Sequence, residues 1–348
     1  MVVAKPNAKP VPKVVPKPED GWRTARLIPT TGIGGQDEQE ERATSSLLAV
    51  MRAVPQFGRA VLAHIGAPVG RISTFTEIRF LDQNEKLSIP DGAVVIEWGK
   101  KRWVCLVEVK TSGAELSAEQ VARYVDLART NGFDAVLTIS NQITASPDEV
   151  PVAVDARRLK KVALRHLSWW QVMTEARVEH KHRGISDPDQ AWILGELIAY
   201  LDHERAGATG FDDLGERWVT VREGARTRTL RAADPGVQDV AKRWEQFIQY
   251  LALGLTQDLG RDVEPIWPKK VDAARRLEIG VHGLVDDGKL TATLRVPGAI
   301  APIDLQADLR GRLFETAIEV AAPREGRPKT RIAWLLRQLK DAADATWI

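Results

Sequence analysis

Residues 89–111 read IPDGAVVIEWGKKRWVCLVEVKT. Two apolar runs, AVVIEW and WVCLVEV, flank a Gly99-Lys100-Lys101-Arg102 turn, the pattern of a buried β-hairpin. A two-residue turn at Gly99-Lys100, where glycine accepts positive φ, sets Asp91 opposite Glu108. A four-residue loop over Gly99–Arg102 sets Asp91 opposite Lys110 instead. Both registers put Asp91, Glu108 and Lys110 on one face, because side chains alternate along a strand.

Two carboxylates meeting on a buried sheet repel, and one protonates unless a cation lies between them. A hard divalent ion resolves the conflict, since Mg²⁺ takes carboxylate, carbonyl and water oxygens. Asp91 and Glu108 are then expected as metal ligands for Mg²⁺ or Mn²⁺, with the backbone carbonyl of Val109, between Glu108 and Lys110, as a further ligand. Lys110 is expected to orient a water or to stabilise charge on a phosphate oxygen. Together these are the parts for metal-assisted phosphodiester hydrolysis.

The flanking sequence has an α/β order. DEQEERATSSLLAVMRAVPQFGRAVLAHIG, residues 37–66, reads as a helix interrupted at Pro55, and STFTEIRFLD as a strand before the hairpin. SAEQVARYVDLARTNG reads as a helix capped by Ser117 and stopped at Asn131-Gly132, and FDAVLTISN as a short buried strand. A further strand is expected near VPVAV, residues 150–154, and then a helix or loop through LSWWQVMTEARVEHK.

Pro90-Asp91 followed by Glu108-Val109-Lys110 resembles the signature of the PD-(D/E)xK nuclease superfamily, the fold of many restriction and repair nucleases. Gln120-Val-Ala-Arg-Tyr124 is similar to the Gln-x-x-x-Tyr element of its RecB-like members. The resemblance covers about residues 36–150. It implies a restriction-endonuclease-like core, a mixed sheet flanked by helices, and a metal-dependent endonuclease acting on DNA in repair or in defence against foreign DNA. It also implies site roles for Gln120 and Tyr124 and a further acidic ligand on the first helix. Glu40 and Glu41 occupy that place, with Glu41 preferred because Leu48 shares its side one heptad later. Glu77 in FTEIRF is the competitor. The rival expectation is an inactive nuclease-like module that binds DNA or protein.

The 348-residue chain exceeds one ordinary core, and about 150 residues per domain predicts two. The expected division is a Lys/Pro-rich leader and linker over 1–35, a nuclease-like domain over 36–175, a connecting helical segment over 176–205, and an α+β domain over 206–348. In that last domain RWVTVRE, RTRTLRA and RRLEIGVHGLV read as strands, Asp286-Asp287-Gly288 as a hairpin turn, and KLTATLRV, IDLQADLRG and RLFETAIEVA as an antiparallel meander. VQDVAKRWEQFIQYLALGL and GRPKTRIAWLLRQLKDA read as helices. This domain is the expected contact for substrate or for a protein partner, with Arg327, Lys329 and Arg331 as candidate phosphate contacts; a homo-oligomer is a separate expectation, assigned to no part of the chain.

With 49 Lys+Arg against 47 Asp+Glu, the net charge of +2 gives no bulk sign of a nucleic-acid binder, so any such surface must be local. The single cysteine, Cys105, excludes intrachain disulfides and multi-cysteine zinc sites. The expected setting is the cytoplasm, without membrane contact, because no apolar run approaches roughly 18 residues. Gly32-Ile-Gly34-Gly35 lacks the Walker lysine. His64 reads as a packing residue, His180 and His182 as surface residues, and Trp169-Trp170 as a seal at the domain junction.

Overall fold

The computed structural model describes residues 23–24, 36–81, 87–203, 206–268 and 271–338. The lysines of the leader and the Gly32–Gly35 run lie outside them. The chain divides into two compact units: Met1–Asp212 with Leu253–Gly260, and Asp213–Ala252 with Arg261–Ile348. The division falls after Asp212 rather than at 206, and the first unit takes back a segment beyond it.

The first unit is built on a mixed sheet in the order β1 (Arg23–Thr24), β2 (Arg71–Thr76), β5 (Gly92–Trp98), β6 (Lys101–Val109), β7 (Ala135–Ser140), β8 (Ala163–Ser168). β1, β2, β5 and β6 pair antiparallel, whereas β6, β7 and β8 run parallel. A small ribbon of β3 (Phe80–Leu81) and β4 (Leu87–Ser88) stands beside it. The β5–β6 hairpin adopts the two-residue turn: Trp98 pairs with Lys101 and Gly92 with Val107. Gly99 supplies the positive φ, at 58°.

Helices cover both faces. α1 (Gln36–Ala53), α2 (Pro55–Ala63), α4 (Trp169–Val178) and α5 (Pro188–Leu201) lie on one side, where Leu47, Met51, Phe57, Val107, Leu137, Trp169 and Leu197 are buried together. α3 (Ala118–Asn131) covers the other with Val121, Tyr124 and Val125 against Val95, Leu106 and Val136. Burial on both faces explains why β7 has no exposed position. α3 begins where Ser117 accepts from the Gln120 N–H and ends at Gly132 with φ 70°, as the sequence predicts. VPVAV is not a strand. Its valines pack as a loop against the α3-side core, and the next strand is β8, ALRHLS.

The second unit holds the antiparallel sheet β12 (Leu313–Ile318), β11 (Ile303–Asp308), β10 (Lys289–Arg295), β9 (Glu264–Pro265), with β10–β11–β12 as the expected meander. Its helices are α6 (Trp218–Thr227), α7 (Pro235–Leu259, whose last turns belong to the first unit), α8 (Ala273–His282) and α9 (Pro328–Gln338). RWVTVRE and RRLEIGVHGLV, read as strands, are therefore helical in α6 and α8, and RTRTLRA supplies the end of α6 and the turn after it. In α6 Val221 and Ala225 are the buried pair, one helical turn apart. In α8 Asp272 caps the first turn by accepting from the Arg275 N–H, and Gly280 lies against Ala241 of α7. Asp286-Asp287-Gly288 is a helix terminus: Gly288, φ 69°, donates its N–H to the Gly283 carbonyl.

Gly92 sits where α1 meets the hairpin. A Cβ there would fall 2.4 Å from Leu48 Cδ1 and 2.9 Å from the Phe75 carbonyl oxygen. Gly92→Ala is expected to destabilise the fold by about 1–3 kcal/mol, read as a lower urea midpoint at unchanged slope; an unchanged midpoint would contradict this packing.

Candidate active site

The two-residue turn fixes the site. With Gly92 opposite Val107, Asp91 stands one step before β5 across from Glu108. Asp91 Oδ2 accepts the Val109 N–H at 2.7 Å, tying the loop before β5 to the end of β6. Glu108 is fully buried, and neither of its carboxylate oxygens accepts a hydrogen bond of ordinary geometry. Lys110 Nζ lies 3.0 Å from Glu108 Oε1 as a charge contact and donates to Glu40 Oε2 at 2.9 Å.

The first-helix acid that meets the cluster is thus Glu40, not the preferred Glu41. Neighbours on a helix are turned by about 100°, so only one of them can face Lys110. Glu77 is drawn in through its backbone: in the left-handed region at φ 50°, it donates its N–H to the Asp91 carbonyl at 3.1 Å.

Burial pushes the Glu108 carboxyl up to about 8, reinforced by the charge of Asp91 and opposed by Lys110. Burial likewise raises Asp91 to about 6 against the pull of the Val109 hydrogen bond and Lys110. For Lys110, burial alone works against the charge, yet Glu108, Asp91 and Glu40 together hold the ammonium above its ordinary range. The result is a charged lysine at the mouth of a pair of reluctant carboxylates.

Gln120 and Tyr124 join the same face of the sheet. Gln120 Nε2 donates to the Tyr124 hydroxyl at 3.1 Å, and that hydroxyl donates to the Ile89 carbonyl at 3.1 Å, two residues before Asp91. Burial first and the charge of Glu108 second raise the Tyr124 hydroxyl's affinity for its proton. Both residues therefore position the Asp91 loop.

Three features escape the sequence reading. Trp169 is fully buried, and its Nε1–H donates to the Lys110 carbonyl at 2.9 Å, while the Lys110 N–H donates to the Ile139 carbonyl at 2.8 Å. The Lys110 backbone is clamped from both sides, so Trp169 supports the site rather than a domain junction. Across the parallel strands Glu108 pairs with Thr138 and Thr138 with His166, extending one buried polar row from Asp91 through β8. His166 Nε2 faces the Gln142 carbonyl at 2.8 Å and therefore carries the proton, leaving Nδ1 to accept from Thr138 Oγ1 at 2.9 Å. Burial lowers this imidazole to about 4, so it is neutral. Lastly, the turn after Lys110 is pinned by Ser112 N–H to the Gly207 carbonyl and by Asn141 Nδ2 to the carbonyls of both residues, all at 2.8 Å.

His64, read as a packing residue, is instead exposed at the C-terminal end of α2, with Nε2 2.7 Å from Glu175 Oε1. Arg327, Lys329 and Arg331 are exposed or half-buried at the start of α9. Among the described residues, no group of three or more His, Cys, Asp or Glu side chains is placed to hold a metal ion. No helix among them is long and apolar enough to cross a membrane. Comparison with protein-family models, curated proteins and solved structures returned no match.

The donor chemistry fits a hard divalent ion bound by few protein groups. Mg²⁺ is held by one or two carboxylates and keeps several waters, and Asp91 and Glu108 are the two carboxylates that could supply that number.

The raised carboxyl values carry a stability consequence. Glu108 lies above its ordinary value in the folded chain, so its contribution is fully present below about pH 4.5 and is lost as pH rises through about 8. Glu108→Gln removes that loss. Its unfolding free energy without divalent ions is expected to exceed the parent's by several kcal/mol at about pH 8.5 and to approach it near pH 4.5, measured by urea titration at both pH values.

Proposed function

We propose that this chain is a Mg²⁺- or Mn²⁺-dependent nuclease that hydrolyses DNA phosphodiester bonds through a PD-(D/E)xK-like site on a restriction-endonuclease-like core. The observation that carries this reading is the wholly buried Glu108 carboxylate, lacking a well-directed hydrogen bond and facing Asp91, with Lys110 charged beside it. Such a carboxylate is costly unless a cation joins it. Asp91 and Glu108 would hold the ion, and when bound it would supply Lewis-acid stabilisation of charge on a phosphoryl oxygen.

The remaining work falls to the chain's own groups. The Lys110 side chain is 16% exposed, and its Nζ offers donors to a phosphate oxygen or to an attacking water. Its backbone, fixed by Trp169 and Ile139, keeps the ammonium at one place. Tyr124 and Gln120 hold the Ile89–Asp91 loop so that the Asp91 carboxylate stays against β6. Glu40 restrains Lys110 and keeps it protonated.

One observation favours a second reading, a DNA- or protein-binding module without catalysis: Lys110 is already met by two carboxylates, Glu40 and Glu108. A single experiment separates the two. The full chain is incubated with supercoiled and linear DNA in Mg²⁺, Mn²⁺ or EDTA. Nicking or degradation that requires the divalent ion is expected, falling about 100-fold or more in Asp91→Asn, Glu108→Gln and Lys110→Ala. Retention of DNA in gel shifts with no cleavage under any divalent ion would support the module instead. Cleavage that survives in Asp91→Ala and Lys110→Ala would place the chemistry elsewhere.

A further inference from the structure

The second unit ends its sheet on an unprotected strand. β12 is the outermost strand of the order β12-β11-β10-β9, and every one of its residues is exposed. Leu313, Phe314 and Ile318 are 56%, 55% and 47% accessible. The strand contains no Lys or Pro, and its one charged residue, Glu315, is engaged by Gln306 of β11, whose Nε2 donates to it at 2.9 Å. Its backbone on the outer side forms no ladder with another strand among the described residues.

We infer that β12 pairs antiparallel with β12 of a second copy, joining two second-unit sheets into one continuous eight-stranded sheet across a two-fold axis. The strand's own sequence selects both the occupant and the register. A two-fold axis perpendicular to a continuous sheet keeps each face on its own side, so residues opposite each other must have the same parity. Centring the axis on Thr316 sets Thr316 against Thr316 and Phe314 against Ile318 twice, with Glu315 facing Ala317. Shifting the axis one residue toward the N-terminus sets Glu315 against Glu315. Shifting it one residue toward the C-terminus sets Glu315 against Glu319. Like charges directly opposite are destabilising, whereas Thr–Thr and aromatic–β-branched pairs are favourable. Of these three registers, only the Thr316-centred one combines the favourable pairs with no like-charge pair, and it engages the whole of Phe314–Ile318 in both copies.

The face bearing Phe314, Thr316 and Ile318 also continues an apolar surface. The Phe314 ring lies edge-on to Trp244 of α7 with centroids 6.4 Å apart, and the second copy's Ile318 would cover its open side. The pairing therefore buries the two exposed apolar residues of that face in each copy, together with the edge backbone.

Sedimentation velocity of the full chain from about 1 to 100 μM is expected to show a monomer–dimer equilibrium, because edge pairs of this size contribute roughly 0.2–1 kcal/mol each. Ile318→Lys, which places an ammonium against the neighbouring Phe314, is expected to raise the dissociation constant at least tenfold with an unchanged circular dichroism spectrum. A second measurement keeps the strand itself intact. Thr316→Cys, in a chain whose other cysteine Cys105 is fully buried, is expected to give a disulfide-linked dimer under mild oxidation, and Glu315→Cys much less of it. A parent that sediments as a monomer throughout this range would overturn the inference, as would a dimer indifferent to Ile318→Lys. Equal cross-linking in the Glu315→Cys and Thr316→Cys variants would overturn the register.

Discussion

A fully buried carboxylate with no well-directed hydrogen bond from the described residues is the constraint around which the first unit is arranged. Glu108 stands in the middle of a sheet covered on both faces, where an uncompensated charge is expensive. Each neighbouring device acts on that cost or exploits it. Asp91 is held beside Glu108 by the Val109 N–H, Lys110 leans back over it, and Glu40 reaches from α1 to complete the charge balance at the mouth. The groups that anchor these three come from separate elements: Trp169 from α4, Ile139 from β7 and Tyr124 from α3.

The hairpin is legible in the sequence because its information is local. A Gly99-Lys100 turn and two apolar runs define the register, and the register defines which charged residues meet. The α3 caps are legible for the same reason. Glu40 against Glu41 is not, since both sit on the same helix one step apart and the apolar stripe of α1 is broad. The polar row through Thr138 and His166 depends on the register of parallel strands joined by long connections, and no local signal fixes that register. Trp169 is visible as a large apolar residue, but its donation to Lys110 is a tertiary fact.

The second unit shows where period-two reasoning fails. RWVTVRE alternates in type, yet the residues that find a core are Val221 and Ala225, one helical turn apart. In RRLEIGVHGLV the decisive local feature is Asp272 before the segment, a helix cap, rather than the alternation inside it. The meander is readable because β10, β11 and β12 are short, linked by short connections and solvated on at least one face, so that composition and structure agree.

The return of α7 to the first unit has a consequence for how the protein is made. Its last turns, Leu253–Leu259, belong to the first unit, where Gln257 Nε2 donates to Thr174 Oγ1 at 2.9 Å and the Gln257 carbonyl meets His182 Nε2 at 2.7 Å. During synthesis from the N-terminus, the sheet and its helices emerge well before this segment does, leaving Thr174 and His182 without these partners. The first unit can thus be closed only after Gly260 has left the ribosome, so that its maturation waits on a stretch of chain whose preceding forty residues belong to the other unit.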